Sequence, residues 1–183
     1  MSIVSGLKHL YYSYCSKPET DRALYKAIRR TGAKRLLELG VGDCQRASRL
    51  IAAAAHFADA RDVRYVGVDL FEARPAGVAR GVSLKEAFRR LKATGAAVQL
   101  LPGNAFTALA RSANALGPMD LIVISADQDA DSLERAWFYV PRLLTTSTRV
   151  FRETVDGSGA LEMRELRMSD IETLVSGRGR RAA

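Results

Sequence analysis

Short aliphatic and β-branched runs alternate with longer helical ones through most of this chain, and that alternation constrains the fold more than any other feature. Residues 35–39 (RLLEL), 64–69 (RYVGVD), 97–101, 120–125 (DLIVIS) and 148–153 read as strands; 45–58, 83–94, 105–115 and 130–144 read as helices. Such a series is a succession of βαβ units, which predicts a parallel sheet covered by helices on both faces. Leu121, Ile122, Val123 and Ile124 are apolar whichever way they point, as an interior parallel strand requires. Right-handed crossovers with a reversal at the first strand give a doubly wound α/β fold of strand order 3-2-1-4-5.

Local signals place several boundaries. Pro18-Glu19-Thr20-Asp21 opens a helix that runs through Leu24 and Ile28 to Gly32. Ser83 and Glu86 have capping-box spacing, Gly95 closes that helix, and Gly117-Pro118 breaks the chain before the fourth strand. After Glu153, residues 156–159 form a turn, 160–168 a strand, and 169–175 a short helix with Ser169 as N-cap. The expectation is one domain over residues 1–175, with residues 1–31 a helical segment over the cleft. Residues 176–183 are expected to form a basic disordered tail.

The 183 residues carry 28 Lys plus Arg against 20 Asp plus Glu, a net charge of +8. Residues 1–120 hold 19 basic and 10 acidic groups, and Arg178, Arg180 and Arg181 crowd the end, so the excess is uneven. A basic surface attracts acidic partners and leaves the fold open. With 48% hydrophobic residues the chain can bury a core unaided, which excludes disorder and a disulfide scaffold. Cys15 and Cys44 have no metal or redox spacing and read as reduced thiols. Lys8 and His9 interrupt the apolar core that an export signal needs, and no apolar run reaches membrane-spanning length. A cytoplasmic protein without membrane contact is expected.

In an open parallel sheet the ligand site lies beyond the carboxyl ends of the strands, where strand order reverses. The loop after the first strand reads Glu38-Leu39-Gly40-Val41-Gly42-Asp43-Cys44. Two glycines two apart allow a sharp turn and close approach of a ligand to backbone, ahead of a helix N-terminus. Asp69 ends the second strand 27 residues after Gly42 and suits the two hydroxyls of a ribose. Gly103-Asn104-Ala105 follows the third strand, with an amide able to read an adenine edge, while Leu70 and Phe71 offer apolar contact. Asn104 is equally placed to be a helix N-cap. A dinucleotide fingerprint is broken by Gln45, and no P-loop lysine follows the glycines. Glu38 would repel a pyrophosphate but welcome a cation, and a sulfonium amino acid on adenosine matches every group in the set.

LLELGVGDC resembles motif I (E/D-x-G-x-G-x-G) of the class I S-adenosylmethionine-dependent methyltransferases, VGVDL resembles their motif II, and PGNAF their Gly-Asp loop. MDLIVISADQDADS is similar to the fourth-strand segment of small-molecule O-methyltransferases. The resemblance spans residues 20–155 and implies a Rossmann-like fold with S-adenosylmethionine as cofactor. The residues expected at the cofactor are Glu38, Gly40, Val41, Gly42, Asp69, Leu70, Phe71, Gly103, Asn104, Ala105 and Ser125. Cys44 replaces the last glycine of motif I. Ser125 stands where metal-dependent relatives bear their first metal-binding Asp, and Glu153-Thr154 where they bear Asp-Asn, so no metal is expected. The strands that usually follow the fifth must fit into some 30 residues, which implies a shortened C-terminal region.

Methyl transfer is an in-line displacement that needs alignment, water exclusion and at times a base. Asp127 is the chosen base among Asp127, Asp129, Glu153 and a folded-over His9. Asp129 and Asp131 suit helix capping. Tyr11, Tyr12 and Tyr14 can form a lid or a packed helix face; Trp137, Phe138 and Tyr139 suit core and interface. The leading expectation is a metal-independent methyltransferase acting on a small molecule, with a homodimer compatible. The alternative is an inactive methyltransferase-like module acting through a protein or RNA partner, which the basic tail suits.

Overall fold

The computed structural model describes residues 18–75 and 81–177. The expectations for His9, for Tyr11, Tyr12 and Tyr14, and for the arginine-rich end fall outside these residues, as does most of the segment expected over the cleft. Six strands form one sheet: β1 (Arg35–Leu39), β2 (Arg64–Asp69), β3 (Ala97–Pro102), β4 (Leu121–Ile124), β5 (Arg149–Val155) and β6 (Leu161–Leu166). Their order is β3-β2-β1-β4-β5-β6, parallel throughout except for β6. The doubly wound sheet is as the sequence predicts, with a hairpin joining β6 antiparallel to β5 at the end. Leu36 of β1 sits opposite both Tyr65 and Leu121, so β1 is central and the order reverses there.

The period-two alternation of each strand sorts its side chains into two cores. On one face Leu36, Tyr65, Leu121, Val123 and Phe151 pack with helices α1 (Arg22–Thr31), α2 (Gln45–Ala55) and α3 (Leu84–Lys92). On the other face Leu37, Leu39, Val66, Val68, Ile122, Ile124 and Val150 pack with α4 (Ala105–Leu116), α5 (Ala130–Ala136) and α6 (Met168–Ser176). Each fully buried aliphatic side chain contributes roughly 1.5–3 kcal/mol, so both layers are strongly held. At the floor of the sheet the Asp120 carboxylate accepts from the Lys34 and Arg35 amides at 2.9 and 2.8 Å and pairs with the Arg35 guanidinium. This ties β1 to β4 at the end remote from the cleft.

Most boundaries differ from expectation by one or two residues, Ser176 of the expected tail closing the last helix, and two helices end earlier by more than that. The helix predicted over 130–144 stops at Ala136, because Pro141 lacks an N–H and its ring obstructs a continuing α-helix; Val140–Leu143 forms a 3-10 turn instead. The helix after the glycine loop ends at Ala55 rather than residue 58. The last helix begins at Met168, one residue before the predicted cap Ser169. The amide of Arg167 is satisfied there by the Asp170 carboxylate at 3.0 Å.

Candidate functional site

The loop after β1 is shaped by positive φ angles at Gly40 (95°), Gly42 (58°) and Cys44 (69°). At Gly40 the need for glycine is also steric. A Cβ there would lie 2.7 Å from the Ser125 Cβ and 2.8 Å from an Asp127 oxygen, so the β1 and β4 loops touch backbone to side chain. Gly42 N–H donates to Asp69 Oδ2 at 2.9 Å and joins this loop to the end of β2. Val41 turns inward and packs where Gly67 of β2 has no side chain; a Cβ on Gly67 would stand 2.7 Å from it.

Two cavities open at these strand ends, and Asp127 lines both. The first, about 280 Å³, is bounded by Asp21, Glu38, Gly40, Gly42, Arg46 and Ser125 among others. The second, about 170 Å³, is bounded by Asp69, Leu70, Arg74, Gly103, Asn104 and Asp127 among others. The glycine loop, Glu38, Asp69, Leu70, Gly103, Asn104, Ser125 and Asp127 are thus brought together.

Phe71 and Ala105 stand apart from both cavities. Phe71, at φ 49°, buries its ring in the first core and presents only its amide, which donates to Asp69 Oδ1 at 2.9 Å. Ala105 is buried in the second core beneath α4. Asn104 caps α4, accepting from the Thr107 amide at 2.8 Å, and Asp129 caps α5 in the same way from Ser132.

A buried polar network forms the floor of the first cavity. Glu38 lies on β1, 1% exposed, and Oε2 accepts the Tyr65 hydroxyl at 2.5 Å. Its Oε1 is buried and has no hydrogen-bond partner among the described residues. Burial pushes the Glu38 carboxyl up to about 8, against the pull of Arg46 and Tyr65. Arg46, in the first turn of α2, reaches Asp21 at 2.9 Å and also pairs with Glu153 of β5. The other Glu153 oxygen accepts from the Ser125 hydroxyl at 3.3 Å and the Ala126 amide at 3.2 Å, which positions the loop bearing Asp127.

Asp69 is saturated. Besides the Gly42 and Phe71 amides, it accepts from Arg74 Nε at 2.9 Å and Nη2 at 2.5 Å, while Arg74 Nη1 reaches Asp127 at 3.2 Å. Burial would raise this carboxyl, but Arg74 and the two amides outweigh it and hold it below its ordinary value. Sequence reasoning missed Asp21, Arg46, Tyr65 and Arg74. Only the position of Arg74, five residues past the strand-end acid, was a signal within reach.

No protein-family model matches the chain, and no curated protein matches it. Solved structures do. The O-methyltransferase from Bacillus cereus, in complex with SAH, is similar at a TM-score of 0.58 and 18% identity over 87% of this chain and 70% of that one. TomG from Streptomyces achromogenes, an O-methyltransferase of tomaymycin synthesis in complex with SAM, gives 0.56 and 16% over 100% and 79%. Precorrin-6y C5,15-methyltransferase from Geobacter metallireducens gives 0.51 and 15% over 78% of this chain and 65% of its own length, so this chain spans under two thirds of it. The fold is the Rossmann-like fold of the class I S-adenosylmethionine-dependent methyltransferases.

Proposed function

We propose that this protein is an S-adenosylmethionine-dependent methyltransferase that acts on a small-molecule acceptor without a metal. The observation that carries the reading is the pair of cavities meeting at Asp127, one bounded by Glu38 and the two glycines, the other by Asp69, Leu70 and Asn104. The residues fit the cofactor on their own chemistry. The orphaned Glu38 oxygen is a ready acceptor for an ammonium, and the bare backbone at Gly40 leaves a cradle no larger residue could share. Asp69 offers a carboxylate to a diol, and Leu70 and Asn104 an apolar surface and an amide to a base.

When bound, the cofactor supplies an electrophilic methyl carbon on sulfur. The chain's part is to bind, orient and, through Asp127 at the junction of the cavities, accept a proton. Metal independence is supported by the chemistry of the expected ligand positions. Ser125 offers a neutral hydroxyl, and both oxygens of Glu153 are engaged by Arg46, Ser125 and Ala126. Among the described residues no cluster of three His, Cys, Asp or Glu side chains could hold a metal ion.

The second reading, a methyltransferase-like module acting through a protein or RNA partner, draws on the saturation of Asp69 by Arg74. Thermal melts separate the two. S-adenosylmethionine or S-adenosylhomocysteine at about 1 mM raises the melting temperature under the first reading, by mass action on the native state. No shift with either ligand would leave the second.

A further inference from the structure

We infer that Arg74 is an internal competitor for the nucleoside hydroxyls, so that ligand reaches Asp69 only by displacing its guanidinium. This rests on the cofactor reading above and adds a residue that sets affinity. A carboxylate has about four favourable acceptor positions. All four at Asp69 are used: two by the Gly42 and Phe71 amides, two by the side-on guanidinium of Arg74. The amides belong to the loops that build the site and cannot leave without dismantling it. The guanidinium alone is a side chain that can withdraw.

Its seat is built rather than incidental. The Arg74 side chain is 11% exposed, and its third nitrogen bridges to Asp127. Gly81 leaves room for it: a Cβ there would stand 2.8 Å from Arg74 Nε. Two parallel N–H···O bonds to one carboxylate imitate in spacing and polarity the two O–H groups of a vicinal diol. The same oxygens therefore serve either partner and never both. Apparent affinity falls by the fraction of molecules in which Asp69 is open; if that is about one in ten, removal of the guanidinium tightens binding about tenfold. Release also leaves the guanidinium tethered at Asp127, between the two cavities, so nucleoside binding is coupled to the charge environment of the candidate base.

The test uses adenosine, which engages the Asp69 side alone, and its 2′,3′-dideoxy analogue, titrated calorimetrically into the wild-type protein, Arg74→Ala and Arg74→Lys. Expected are adenosine binding at least about tenfold tighter to Arg74→Ala, an intermediate gain for the one-point donor Arg74→Lys, and no gain for the dideoxy analogue. In wild-type protein, the Arg74 Nε–H resonance should shift as adenosine is added. Unchanged or weaker adenosine binding to Arg74→Ala overturns the inference while the cofactor reading stands. An equal gain for the dideoxy analogue also overturns it, since the side chain would then be only a steric plug. Absence of binding by adenosine and S-adenosylhomocysteine to every form overturns both readings together.

Discussion

The Gly42 amide and the Asp69 carboxylate, 2.9 Å apart, make the β1 loop and the tip of β2 one rigid unit. Asp69 is at once the end of a strand, the tether of the glycine loop and the partner of Arg74. Its removal therefore acts on stability as well as binding. Asp69→Ala leaves the poorly exposed Arg74 with one fewer carboxylate and two amides without their acceptor, at an expected cost of about 2–4 kcal/mol at neutral pH. Because the Asp69 carboxyl is held below its unfolded value of 3.8, its stabilisation is present above that pH and lost as pH falls through the folded value. Urea unfolding at pH 7 and pH 3 should show the gap between wild type and variant closing in acid.

Glu38 predicts the opposite pH dependence. Its carboxyl is pushed up from 4.5 to about 8, by burial first. The folded state thus holds a proton that the unfolded chain releases, so the stabilisation is full below pH 4.5 and lost as pH rises through 8. Glu38→Gln should flatten the decline in melting temperature between pH 5 and 9 and be more stable than wild type at pH 9, by an amount on the order of 1–3 kcal/mol. A cationic ligand at the orphaned oxygen must find Glu38 ionised. S-adenosylhomocysteine binding should therefore release a proton near pH 7, seen as a dependence of calorimetric heat on the buffer's ionisation enthalpy.

The strands were legible because their signal is local: RLLEL and RYVGVD have the alternation and the flanking breaks that a strand must have, and both boundaries fall where the residues put them. The glycine loop and Asp69 were legible because backbone geometry demands particular residue types at particular spacings. Arg46 reads only as an exposed-type residue of an amphipathic helix, since its partners Asp21 and Glu153 lie 25 and 107 residues away. Phe71 reads as a pocket wall because it follows Leu70; a positive φ, invisible in the sequence, turns its ring into the core instead.

Cys44 occupies the position at which the resembled motif carries its final glycine, and the backbone explains both residues. At φ 69° the left-handed conformation strains any side chain, and least so a small one. The thiol is buried against the first core and pushed up to about 11, by burial first, so it is a neutral apolar filler. Cys44→Gly trades relief of strain for lost packing and should change stability by less than about 1 kcal/mol. Cys44→Val puts a β-branched residue at a positive φ and should cost about 1–3 kcal/mol. Equal melting temperatures for the two variants would show that the strain is absent.

Arg46 is the cation on which the acidic floor of the first cavity depends. Burial alone would depress its guanidinium, yet Glu38, Asp21 and Glu153 raise it above its usual value, so it stays charged. Asp21 and Glu153 are 1% and 3% exposed at the side chain, and Arg49, at 3.8 Å, is a second, more distant cation beside Asp21. Arg46→Met fills a similar volume and removes the charge, which deprives two buried carboxylates of the guanidinium they share. The expected cost is about 3–5 kcal/mol, since breaking one side of a buried pair exposes the full desolvation penalty of the other. Adding Asp21→Asn and Glu153→Gln to Arg46→Met should recover at least half of that loss, because the amides need no countercharge. An Arg46→Met variant within about 1 kcal/mol of wild type, or a triple variant no better than the single, would mean that packing rather than charge holds this floor.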